Sequence, residues 1–218
     1  MALPSKKSVF LFIWFLTLLI GPLTILRVTS PGSIDSPLLI TNFFQRLTGL
    51  LAFTLLSWQI VLGSLMPRLT EKLGGWVFKF HTTQGLFSYG LILIHPMLYT
   101  LFNYFSNGVF NPLYTIFPTS LVITEFWISF GRFAFLLLTL GVIAGYFRTK
   151  PFFREKWRTL HILNYIGFIF VAIHSYFVGT DSWTAPFSYF YWVAFGVVTI
   201  TIVRRVYLKF VSPKPVTT

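Results

Sequence analysis

Six long apolar runs in a chain of 218 residues fix what this sequence can fold into before any motif is considered. A helix rises about 1.5 Å per residue, so about 20 apolar residues cross the roughly 30 Å of hydrocarbon in a bilayer. Runs of that kind lie near Val9–Leu26, Phe44–Leu65, Val77–Phe102, Phe126–Phe147, Leu160–Val178 and Phe187–Val203. Only 10% of residues are charged, against about a quarter in soluble domains, and 20% are aromatic, which suits contact with membrane lipid. The expectation is all-α: one integral membrane domain over residues 1–218, a six-helix bundle. Lys6 and Lys7 precede the first run in the manner of a signal peptide. That run is long for one and lacks a small-residue cleavage site, so a retained anchor is expected.

The formal charge of +12 does not point to nucleic acid, because the cations sit between the apolar runs and not along one polar face. One side of the alternating spans collects Lys6, Lys7, Arg68, Lys72, Lys79, Arg148, Lys150, Arg154, Lys156, Arg158, Arg204, Arg205, Lys209 and Lys214. The other collects Arg27, Arg46 and Arg132. That bias of 14 to 3 predicts that both termini are cytoplasmic, with the protein in the bacterial inner membrane. The connection Asn103–Glu125 is long, aromatic and nearly uncharged, and is expected at the outer interface. Cysteine is absent, which removes thiolate-held clusters and covalent haem attachment.

The chain has four histidines, two in the third run and two in the fifth. A single intramembrane histidine is readily explained as an interhelical hydrogen bond; four in two matched pairs call for a shared function. His81 and His95 are 14 residues apart, about 21 Å along a helix and only about 40° from a common face. His161 and His174, 13 apart, match in depth at about 19.5 Å but are about 140° out of phase in an ideal helix. A tilt, a local bulge or a one-sided crossing must absorb that offset. Depth pairs His81 with His161 on the inner side and His95 with His174 on the outer side. Two imidazoles are too few for an ordinary zinc site, but suit a macrocycle that supplies four equatorial nitrogens and takes two axial ligands. The reading is two stacked b-type haems between the third and fifth spans, with His81 and His161 on the inner iron and His95 and His174 on the outer.

The pattern His-x13-His with His-x12-His resembles the ferric reductase and NADPH oxidase transmembrane domain family. Gln45-Arg46-Leu47-Thr48-Gly49, His95-Pro96 and Trp157-Arg158-Thr159-Leu160-His161 agree with it. The last run is also similar to the haem-binding membrane subunit of the bacterial periplasmic methionine-sulfoxide reductase. The resemblance implies transmembrane electron transfer from a cytoplasmic donor to an outer acceptor: ferric iron, dioxygen or a periplasmic enzyme. Oxidase and ferric-reductase members continue into a flavin and nucleotide domain, whereas about 15 residues follow Val203 here. The resemblance therefore implies a separate donor, a flavin reductase or a quinol, with flavin present only through that partner.

Haem propionates need cationic partners. Arg158, Lys79 and Lys156 flank the inner histidines, while Arg46 and Arg132 run against the topology rule on the outer side, where Gln45 is a further contact. Gly85, Gly90 and Gly167 in the histidine spans would allow close approach of a macrocycle. Phe87, Phe168 and Phe170 lie between the two levels. Asn164 and Tyr165 face a propionate or a neighbouring helix. A proton or metal transporter using the same histidines is the rival reading. It expects acids within the spans, whereas Asp35, Glu71, Glu125, Glu155 and Asp181 all fall in loops or at span ends.

Overall fold

The computed structural model describes residues 5–30, 32, 34–118 and 120–210, the side chains of 209 and 210 excepted. Of the basic residues counted for topology, Lys214 and the side chain of Lys209 fall outside the described residues. The rest of the larger set lie at the end of the bundle that holds both described termini.

Six helical segments are long and apolar enough to cross a membrane. They are α1 (Lys6–Val28), α2 (Pro37–Leu73), α3 (Trp76–Asn107), α4 (Ile123–Tyr146), the continuous stretch Trp157–Val178, and α8 (Phe187–Phe210). A short turn, α5 (Pro151–Arg154), precedes that stretch, which divides into α6 (Trp157–His161) and α7 (Leu163–Val178). No strand occurs among the described residues.

The expected runs lengthen where caps permit. Ser36 accepts a hydrogen bond from Leu39 N–H and Pro37 occupies the first turn, so α2 starts seven residues before its apolar run. It ends at Gly74, whose φ of 96° reverses the chain directly into α3. At 37 residues, about 55 Å, α2 exceeds the hydrocarbon thickness. At the far end α3 runs on to Asn107, and the connection after it forms a 3-10 turn, Pro112–Thr115.

The tightest pairings are α2 with α3 and α4 with α6 and α7. Behind them Phe53, Phe168, Phe187 and Tyr191 build an aromatic core joining α2, α7 and α8, with Phe53 stacked on Tyr191 at 5.0 Å. The Tyr191 hydroxyl donates to Ala172 O at 2.8 Å, which satisfies a phenol buried away from water. At the basic end, Phe10 of α1 meets the rings of Trp58, Trp76 and Phe80 edge-on. These contacts turn two facing helix pairs into the two walls of one cleft.

Candidate functional site

The four histidines line that cleft at two levels. At the outer level the rings of His95 and His174 have centroids 6.4 Å apart. Two imidazoles binding one metal from opposite sides, at about 2 Å per metal–nitrogen bond, hold their ring centres roughly 6 Å apart. At the inner level His81 and His161 border a cavity of about 560 Å³ between the two helix pairs. That volume lies within the usual range for a cofactor site. Among the described residues no three His, Cys, Asp or Glu side chains converge as a metal site.

The phase problem of the fifth span is met by a local change of winding. Ile162 N–H is shared between Arg158 O and Thr159 O at 3.3 Å, and Tyr165 N–H bonds to Ile162 O at 2.9 Å, one residue short of the α-helical step. Such 3-10 steps turn the chain about 120° per residue instead of about 100°. The extra rotation between His161 and Leu163 works against the offset.

The helices facing α3 and α7 orient the rings. His95 Nδ1 donates to Gln45 O at 2.9 Å, His161 Nδ1 to Gly141 O at 2.9 Å and His174 Nδ1 to Trp127 O at 3.3 Å. A carbonyl only accepts, so these bonds fix the proton on Nδ1 and leave the Nε2 lone pair for a metal. Four residues after each carbonyl stands a glycine. A Cβ at Gly49 would lie 2.9 Å from His95 Cε1, one at Gly131 3.0 Å from His174 Nδ1, and one at Gly145 3.0 Å from His161 Nδ1. Gly63 faces His81 in the same way at 3.4 Å, but His81 Nδ1 has no hydrogen-bond partner. Sequence reasoning looked for close-approach glycines on the histidine helices and missed these. The signal was present: Gly49 and Gly63, and Gly131 and Gly145, repeat the 14-residue spacing of His81 and His95.

Three buried polar atoms without partners, His81 Nδ1, Ser88 Oγ and Asn164 Oδ1, belong to residues lining the inner cavity. Buried polar groups are rarely left unpaired, so this concentration marks a place built around something polar. Three arginines, Arg148, Arg158 and Arg205, line the same cavity, with no acidic residue among its walls. Of the cations expected there only Arg158 takes part, and Lys79 and Lys156 do not line it. Lys156 instead lies over the Phe152 ring. Arg148 and Arg205 were assigned to topology by sequence, and the cavity draws them in. The donor set, the arginines and the volume fit a bis-histidine haem with anionic propionates.

The outer arginines have partners of their own. Arg46 Nε donates to Asp181 Oδ2 at 2.7 Å, and its Nη2 to Oδ1 of the same carboxylate. Arg132 Nη1 donates to Glu125 Oε2 at 2.9 Å, while Nε and Nη2 both donate to Tyr114 O at 3.1 and 3.0 Å. A guanidinium inside the membrane must be neutralised, and these acids at the span ends do it. Gln45 serves through its backbone carbonyl. Elsewhere Gly167 packs on Leu138, Phe168 joins the aromatic core, Phe87 is exposed and Phe170 meets Phe130. Gly85 borders the inner cavity beside Gln59, and Gly90 faces open space. Asn164 Nδ2 lies 3.2 Å from His161 Nδ1.

The family described as ferric reductase like transmembrane component matches residues 48–172, more than half of the chain. The chain belongs to that family. All four glycine contacts and three of the four histidines fall within the match, as do Arg148 and Arg158 of the inner cavity. Gly49 is its second residue, and the match ends two residues before His174. Neither a curated protein nor a solved structure matches the chain.

Proposed function

We propose that this ferric reductase-like membrane domain is a transmembrane electron conduit holding two b-type haems, one at each histidine level. The observation that carries the reading is the outer pair, with ring centres 6.4 Å apart and both Nδ1 atoms turned to backbone carbonyls. Bound haem would supply a one-electron ferric–ferrous couple, held by His81 and His161 at the inner level and by His95 and His174 at the outer. The chain's own work is positional. Backbone carbonyls of α2 and α4 set the imidazoles, the aromatic core keeps water from the wall behind them, and Arg148, Arg158 and Arg205 supply charge for carboxylates at the inner level.

Electrons enter at the inner, basic end from a separate donor, a flavin reductase or a quinol, and leave at the outer level. The internal pairing of Arg46 and Arg132 weighs against an outer acceptor steered by those cations, such as an anionic ferric chelate. It favours a neutral acceptor or a docked periplasmic enzyme. The acids all lie in loops or at helix ends, which weighs against a proton or metal transporter.

The test is a dithionite-reduced minus oxidised spectrum of protein purified in mild detergent, with a pyridine haemochrome assay. A low-spin b-type spectrum at about two haems per chain is expected. Protein free of haem, from cells supplied with it, would overturn the reading.

A further inference from the structure

The four histidines meet four glycines on the neighbouring helices, and three of the contacts follow one rule. On α2 and α4 a glycine stands at position n, the carbonyl of residue n−4 is the acceptor, and a histidine from α3, α6 or α7 fills the notch. Gln45 and Gly49 serve His95, Trp127 and Gly131 serve His174, and Gly141 and Gly145 serve His161. In a helix the carbonyl of n−4 points along the axis toward residue n. A side chain at n would stand between that oxygen and an approaching ring. Absence of a Cβ is therefore what lets Nδ1 reach the carbonyl.

We propose that Gly49, Gly131 and Gly145 are positioning residues that set the rotation and tautomer of the haem-ligating histidines through the carbonyl one turn earlier. This rests on the haem reading above. Gly63 is the built-in comparison: it faces His81 at 3.4 Å, ordinary van der Waals distance, and His81 Nδ1 takes no carbonyl. Gly167 is a second, because a Cβ there would be as close, 2.9 Å, but to Leu138 and not to a histidine.

The experiment uses the full chain with Gly→Ala at positions 49, 131, 145 and 167. Low-spin electron paramagnetic resonance signals and midpoint potentials are recorded, and each signal is assigned by its loss in His174→Ala or His161→Ala. Gly49→Ala and Gly131→Ala should shift or halve the outer signal alone, and Gly145→Ala the inner signal alone. The affected potential should rise, since a ring moved from its carbonyl is a less basic ligand. Gly167→Ala should leave both signals in place. Unchanged signals in the first three, or equal loss of both signals, would overturn the proposal.

A stability measurement covers the case in which Gly49→Ala fails to accumulate. If its added methyl collides with the His95 ring, the double variant Gly49→Ala/His95→Ala should be as thermostable as His95→Ala alone. A double variant weaker than His95→Ala would show that Gly49 packs on something else, and would also overturn the proposal. Wild-type protein without haem would sink the underlying reading instead, while this stability comparison would still decide what Gly49 packs against.

Discussion

Replacing Glu125 by Gln tests whether the outer end is held by a buried ion pair. Glu125 and Arg132 sit on the first turns of α4 with side chains only 9% and 8% exposed, and their contact is 2.9 Å. Removing one charge of such a pair costs about 3–5 kcal/mol, because the other is left uncompensated in a low-dielectric site. Gln keeps a carbonyl oxygen for Arg132 Nη1, and the two bonds to Tyr114 O and one to Ser129 Oγ survive. The loss therefore falls near the lower end, about 3 kcal/mol. For a chain of this size that lowers the melting temperature by about 6–12 °C. The assay is tryptophan fluorescence during heating in detergent, which the seven Trp residues make sensitive. The double variant Glu125→Gln/Arg132→Met removes both charges and should recover most of the loss, since apolar replacement of a buried pair is often neutral. If the double variant loses the sum of the two single losses, the residues are not coupled and the reasoning fails.

Haem content should fall from two to one per chain in His95→Ala and in His161→Ala, measured by pyridine haemochrome; loss of both haems from either would contradict independent levels. Arg148→Gln and Arg205→Gln should lower the midpoint potential of the inner haem and leave the outer one in place, because each removes positive charge from the inner cavity alone. Gly90→Ala should stabilise the protein by about 0.5–1 kcal/mol in the same melting assay, since its helix position is open to a Cβ and alanine restricts the unfolded chain.

The spans and the pairing of histidines by depth were legible because lipid enforces both. A run long enough to cross must be apolar, and a polar group placed within it stands out. The ends of α2 were less legible, since Ser36-Pro37 and Pro67-Arg68 are polar or helix-breaking in sequence yet cap or continue the helix outside the hydrocarbon. The partners of the outer arginines were not legible at all. Arg46 and Asp181 are 135 residues apart, and only the packing of α2 on the turn before α8 brings them together. The inner arginines failed for a different reason: topology alone explains a basic residue there, so sequence cannot separate Arg205, which lines the cavity, from Arg204 beside it.

The two levels are built to different tolerances, and the difference lies in one corner. Both outer imidazoles are tied to carbonyls, and the glycines beside them leave no spare space. At the inner level His161 is tied in the same way, but His81 is not. The residue four before Gly63 is Gln59, and it contributes its side chain instead: Nε2 donates to His81 O at 3.0 Å, holding the backbone of α3 and not the ring. The His81 ring is thus left freer to turn, beside a cavity walled by three arginines at the basic end. The glycine spacings make the two levels alike; Gln59, which holds the backbone of α3 instead of the ring, and the acids, which neutralise Arg46 and Arg132 at the outer level alone, make them differ.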